Sequence, residues 1–233
     1  MVNLALYSDQ VIPQNAAVDA RLMDLMKTQG VGTRLGYIPS GPEPDRYFFN
    51  DRKRYYARLG LDLALYHDLD GPHGSAETAA LFGCDAIHLS GGDTSAFLGR
   101  MKRHAMLAPL RDWAMKGGIL IGTSAGAILM TPTIATDALF AGRKPEEMAD
   151  GDALDLLPFE FFPHLNDDAA YLPQLVRYSR HTARPIVACN DGDGIVVSNG
   201  VVEWIGSPLW ISDGVVEHAA QIAFPAISSG MRD

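Results

Sequence analysis

The sequence predicts an α/β fold: a mostly parallel sheet with helices on both faces and an antiparallel extension near the C-terminus. Three observations lead there. Short apolar runs alternate with longer amphipathic stretches through the first half of the chain. The apolar triplet Ile119, Leu120, Ile121 then runs into Gly122-Thr123-Ser124-Ala125-Gly126-Ala127, the pattern of a buried strand turning sharply into a helix. The last third breaks into brief apolar runs divided by Asp-Gly and Asn-Gly pairs, which accept positive φ and mark hairpin turns.

Taken in order, the strand candidates of the first half are residues 2–7, 34–38, 61–66, 86–89 and 119–121, with helical patterns at 16–28, 46–59, 76–82 and 105–116. In such a sheet the loops at the carboxyl ends of the strands carry the site. Pro39-Ser40-Gly41-Pro42, Ser90-Gly91-Gly92-Asp93-Thr94 and the turn at Ser124 qualify. Residues 131–157 read as an irregular surface excursion whose acids are expected to be solvated. Residues 159–163 form another strand candidate ending at His164, and a helix is expected over 169–180. Runs at 186–189, 194–197, 201–205 and 209–212 should extend the same sheet antiparallel, so residues 1–233 are expected to form a single domain. The tail after Ala219 carries no signal.

The chain has 233 residues, 47% of them hydrophobic, enough to bury a sizeable core. A net charge of -9 disfavours general affinity for nucleic acid or anionic membranes, which would repel the surface on average. Cys84 and Cys189 both lie in apolar runs and read as buried, reduced thiols rather than a disulfide framework. The first residues carry no basic leader, and no run approaches the roughly 20 apolar residues of a membrane helix. A soluble, cytoplasmic protein is the expectation.

A serine flanked by glycines at a strand-to-helix turn points to nucleophilic catalysis. The glycines permit a tight, strained turn, and the free N–H groups and dipole at a helix start favour the negative charge that acyl transfer develops. Ser124 is therefore the candidate nucleophile. It needs a base, a group to orient that base, and donors for the oxyanion. Of seven histidines, His164 is best placed, because it follows an apolar run and precedes the polar loop Asn166-Asp167-Asp168. His88 falls inside a strand candidate and reads as a packed core residue. His67, His73, His104, His181 and His218 read as surface or helix-end residues. For the orienting acid, Asp191 is the first acid past the run 186–189; Asp193 suits a turn before Gly194, and the pair could equally be a plain hairpin turn. Ala125 N–H and Gly92 N–H are the candidate oxyanion donors. The Gly-Gly loop lacks both a following Walker-type lysine and the third glycine of a dinucleotide fingerprint, which weakens a nucleotide reading.

In order along the chain, Ser90-Gly91-Gly92-Asp93-Thr94, then Gly122-Thr123-Ser124-Ala125-Gly126-Ala127, then Pro163-His164, then Asp191-Gly192 resemble the serine peptidases that include aspartyl dipeptidase (peptidase E) and cyanophycinase. The resemblance covers roughly residues 1–210 and implies the flavodoxin-like sheet of the class I glutamine amidotransferase relatives. It also implies that Ser124 is the nucleophile, His164 the base, and Gly92 and Ala125 the oxyanion hole. The chain departs from the peptidase E pattern at the third member, where Asp191 stands in place of a Glu. Members that select an N-terminal Asp need an Arg for its carboxylate. Arg177 and Arg180, which follow His164, and Arg143, in the excursion, are the candidates.

These readings lead to an expected serine peptidase acting on short peptides, Asp-X dipeptides above all, without metal or organic cofactor. The resemblance and the frequency of two-fold assemblies point to a homodimer. A cyanophycinase-like activity on β-linked aspartyl-arginine chains is the alternative enzyme, and a non-catalytic ligand-binding protein of the same fold is the alternative outside enzymes.

Overall fold

A computed structural model describes residues 1–71, 74–222 and 227. His73, read as a surface or helix-end residue, and most of the tail after Ala219 lie outside these residues.

The first half alternates as the apolar runs predict: β1 (Asn3–Tyr7), α1 (Ala16–Gln29), β2 (Arg34–Ile38), α2 (Tyr47–Ala57), β3 (Asp62–Tyr66), α3 (Ser75–Phe82), β4 (Ala86–Leu89), α4 (Thr94–Arg103), α5 (Leu107–Met115) and β5 (Ile119–Thr123). Further along come a single helical turn, α6 (Ala125–Ile128), then β6 (Glu160–Phe162), α7 (Tyr171–Tyr178), β7 (Ile186–Ala188), β8 (Gly194–Ser198), β9 (Val201–Ile205), β10 (Leu209–Ser212) and β11 (Val215–His218). Helix α4 is an addition to the expected elements. It starts where Asp93 caps it, its Oδ1 accepting from Ala96 N at 2.8 Å.

The main sheet has the order β3-β2-β4-β5-β1-β8-β9. Its first five strands are mutually parallel, while β8 runs antiparallel to β1 and β9 antiparallel to β8. The period-2 alternation of a strand decides which face each side chain serves. Leu4, Leu6 and Leu120 join the core with Phe97, Met101 and Leu110 of α4 and α5. Ala5, Tyr7, Ile119 and Ile121 face Val18 and Leu22 of α1 and Tyr56 of α2. Both faces of the inner strands β1, β4 and β5 are thereby dry, as a parallel sheet requires, while the edge strands β3 and β9 are partly exposed.

The C-terminal third differs from the expected single extension. Only β8 and β9 join the main sheet; β7 and β10 pair in a second sheet of order β11-β10-β7-β6, in which β6 and β7 are parallel. The reason is that β6 needs a partner: β7 satisfies its backbone while Phe162, Ile186, Ala188 and Ile211 share a third core with Leu175 and Tyr178 of α7. His67 is also buried, not at the surface, because its N–H continues the sheet by donating to Tyr37 O at 2.9 Å. His88 is buried in the core as predicted. Cys84 and Cys189 are buried and unlinked. Among the described residues no helix is long and apolar enough to cross a membrane.

Candidate active site

Parallel strands deliver their carboxyl ends to one edge, and six strand ends meet there: Ser8 after β1, Ser40 after β2, Gly91-Gly92 after β4, Ser124 after β5, His164 after β6 and Asp191 after β7. The turn at Ser124 is forced by close backbone approach. A Cβ added to Gly126 would lie 2.1 Å from the Leu89 carbonyl oxygen, and one on Gly122 would lie 2.6 Å from Ala127 N. Ser124 itself sits at φ +49° and ψ -109°, a conformation costly for a residue with a side chain. Its N–H is held by Tyr7 O at 3.0 Å, and its carbonyl accepts from Ala127 N and Ile128 N at 2.9 and 3.0 Å. Because α6 is a single turn, its dipole is small. The expected anion-favouring field reduces here to local N–H donors.

His164 adopts the left-handed conformation at φ +55°. Its N–H donates to Ser8 Oγ at 2.8 Å, and Leu165 N donates to Cys189 O at 3.0 Å, tying the histidine to the end of β7. The imidazole then bridges two partners: Nδ1 lies 2.6 Å from Asp191 Oδ1 and Nε2 lies 2.9 Å from Ser124 Oγ. A carboxylate only accepts, so Nδ1 carries the proton and Nε2 is left to accept from the serine hydroxyl. That is the protonation state a general base needs. Asp191 is fixed in turn by its own N–H donating to Asn166 Oδ1 at 2.7 Å. Asp193 does something else: its carboxylate accepts from Asn190 N at 3.1 Å and Ser207 N at 3.0 Å, closing the turn, and burial raises its pKa.

Gly92 N–H and Ala125 N–H have no acceptor among the described residues, and both border Ser124. Two such donors beside a nucleophile can receive the oxygen of a tetrahedral intermediate. Cys189, by contrast, is no rival nucleophile, since complete burial pushes its thiol pKa well up.

Two cavities of about 360 Å³ each meet at His164 and Gly92. One contains Ser124, Asp137, Phe140 and Arg143. Arg143 makes no ion pair among the described residues, so its guanidinium is available to a ligand. Asp137 accepts from Ser95 Oγ at 3.3 Å, and desolvation raises its pKa. It is thus a site residue and not the solvated loop acid expected of the excursion. The other cavity is walled by Tyr37, Phe48 and His88 and rimmed by Asp9, Glu43, Asp51 and Arg52. Arg177 is bonded to Glu146, and neither Arg177 nor Arg180 lines either cavity. Of the three candidate arginines, the structure brings only Arg143 into the cavity that Ser124 lines. Among the described residues no group of three or more His, Cys, Asp or Glu is placed to hold a metal ion.

Ser8, Asn166 and Asp137 were not among the sequence candidates. Ser8 had a signal, being the first residue past a buried parallel strand. Asn166 and Asp137 had none, because the turns that bring them in are irregular.

Comparison with known proteins shows the family of the chain. The model of "Peptidase family S51" matches residues 4–205. Peptidase E of Salmonella heidelberg (strain SL476) and peptidase E of Salmonella typhimurium (strain LT2) are each 29% identical over 169 residues, spanning 71% of this chain and 70% of the relative. Among solved structures, a candidate peptidase E from Listeria monocytogenes EGD-e superposes with a TM-score of 0.69 at 22% identity, covering 88% of this chain and 98% of that one. A peptidase from an acI-B1 Actinobacterium gives 0.61 at 14% identity, covering 94% and 93%. These two share the fold. With a family model matching residues 4–205, most of its length, the chain belongs to peptidase family S51.

Proposed function

We propose that the protein hydrolyses the bond after an N-terminal aspartate in short peptides, dipeptides above all. His164 Nε2 takes the Ser124 proton as Oγ attacks the scissile carbonyl carbon, and Gly92 and Ala125 N–H receive the oxyanion. Collapse of the intermediate breaks the C–N bond, and the proton now on His164 passes to the leaving amine. Water then attacks the acyl-enzyme, with His164 as base again, releasing the acid and restoring Ser124. Asp191 holds the imidazole in register and stabilises its transient positive charge.

The observation that carries the aspartyl preference is the cavity beside Ser124, which combines a cation that makes no ion pair among the described residues, Arg143, with one half-buried acid, Asp137. An N-terminal aspartate offers the complementary pair: a β-carboxylate for the guanidinium and an α-ammonium for the carboxylate. The relatives named peptidase E support the same reading. We assign the activity to the cytoplasm, where the unlinked Cys84 and Cys189 would stay reduced.

A second substrate, β-aspartyl-arginine, is favoured by one feature. Asp9 and Glu43 rim the other cavity, where a leaving residue with a cationic side chain would be welcome, Asp51 being paired there with Arg52 at 2.6 Å. Release of the free amino acids from Asp-Leu, β-Asp-Arg and Ala-Leu separates the readings. Turnover of Asp-Leu alone supports the proposal, turnover of β-Asp-Arg alone supports the second, and equal turnover of Ala-Leu overturns aspartyl selection.

A further inference from the structure

We propose that Ser40, in the loop after β2, is a positioning residue of the oxyanion hole, holding the Gly91–Gly92 peptide with its N–H turned toward the nucleophile. The inference rests on the serine-peptidase reading above, in which Gly92 N–H is one of the two oxyanion donors.

In a trans peptide the C=O and N–H point in opposite directions, so whatever holds the Gly91 carbonyl also aims the Gly92 N–H. That carbonyl accepts from Ser40 Oγ at 2.7 Å and, less closely, from Ser90 Oγ at 3.1 Å. Ser40 is itself fixed, its N–H donating to Ser90 Oγ at 2.7 Å. The loop is anchored one residue earlier, where Pro39 O accepts at 2.7 Å from Arg100. Arg100 is 4% exposed and clamped by Asp68 and Asp70 at 2.6 and 2.7 Å. A rigid frame therefore ends on the Ser40 hydroxyl, which makes the shorter of the two hydrogen bonds at the back of the donor peptide.

The peptide needs that hold. Two consecutive glycines have no side chains to resist rotation of the plane between them, and Gly92 sits at φ +134°, where other residues rarely go. A turned-over peptide would aim the Gly91 carbonyl oxygen at the developing oxyanion, replacing attraction by repulsion. Contact with Ser40 is close enough that a Cβ added to Gly92 would lie 2.2 Å from Ser40 Oγ. Among the described residues the Ser40 hydroxyl is hydrogen-bonded to Gly91 O and not to Ser124 or His164, so it acts through Gly92.

The test compares Ser40→Ala and Ser40→Thr with wild type by kcat, KM, thermal melting and the rate at which a fluorophosphonate labels Ser124, since its phosphoryl oxygen occupies the same hole. Loss of one ordinary hydrogen bond predicts about a tenfold fall in kcat and in labelling rate for Ser40→Ala, with KM within about twofold. Ser40→Thr, which keeps the hydroxyl, should recover most of both. Should Ser40→Ala melt below the assay temperature, Ser40→Cys, similar in size but a weak donor, carries the same expectation. Wild-type kcat and labelling in the folded variant would overturn the inference, as would a loss confined to KM or shared equally by Ser40→Thr. Failure of wild type itself to label or cleave would overturn the peptidase reading, and this inference with it.

Discussion

Replacing Asp191 by Asn removes one charge at the far side of the imidazole and changes little else in volume. In the native arrangement Asp191 Oδ1 lies 2.6 Å from His164 Nδ1, while Nε2 faces Ser124 Oγ at 2.9 Å. During attack the ring becomes an imidazolium about 4 Å from the centre of the carboxylate charge, a separation worth about 4 kcal/mol at an effective dielectric constant near 20. The two side chains are 24% and 32% exposed, so screening reduces this to roughly 3 kcal/mol, or about a hundredfold in rate. An amide adds a second penalty: if its NH₂ faces Nδ1, the ring proton moves to Nε2 and the base is lost. Together these predict a kcat lower by between about 10² and 10⁴, with KM nearly unchanged. Steady-state kinetics on a cleaved dipeptide reads this directly. Asp193→Asn is the control, because Asp193 serves the turn through Asn190 N and Ser207 N; it should lower the melting temperature and leave kcat within about threefold. A fall of less than tenfold for Asp191→Asn, or an equal fall for Asp193→Asn, would refute the assignment of the orienting acid.

Further outcomes follow from individual contacts. Arg143→Gln should raise KM for Asp-Leu by about ten- to a hundredfold through loss of a charge-assisted contact, while Arg177→Gln, whose partner is Glu146, leaves kinetics within twofold. Gly126→Ala places a methyl group 2.1 Å from the Leu89 carbonyl, and urea unfolding should show a loss on the order of 3 kcal/mol. Burial holds the His88 pKa down at about 3, against 6.5 for the free side chain. The unfolded chain therefore binds the proton first, and stability falls as pH drops from 6.5 toward 3, by about 2 kcal/mol at pH 5. Urea midpoints at pH 7 and pH 5 should show this loss in wild type and a smaller one in His88→Gln; equal losses would contradict the buried neutral histidine.

Much of this architecture was legible because the parallel core repeats one signal. Apolar runs such as 119–121 have to be strands dry on both faces, and the loops at their carboxyl ends have to share an edge. Ser124, His164 and Asp191 could each be picked as the chemically apt residue just past such a run, with no knowledge of distances. The signal failed where pairing is decided at long range. Nothing in 186–188 or 209–212 distinguishes strands of a second sheet from strands like β8, since the deciding fact is that β6 needs a neighbour. Helix α4 was hidden by its length and composition, with Phe97, Leu98 and Met101 facing the core among three cations. The choice of Arg143 over Arg177 was equally unreadable. It depends on Glu146, 31 residues before Arg177, folding back to pair with it.

The central claim is that Ser124 is a nucleophile activated by His164. Its most direct test is to treat the folded protein with a fluorophosphonate and map the modified residue by peptide mass. The account predicts a single adduct on the peptide containing Ser124, formed rapidly in native protein and abolished by prior denaturation or by His164→Ala. An unmodified Ser124, or an adduct that forms equally well in denatured protein, would contradict it.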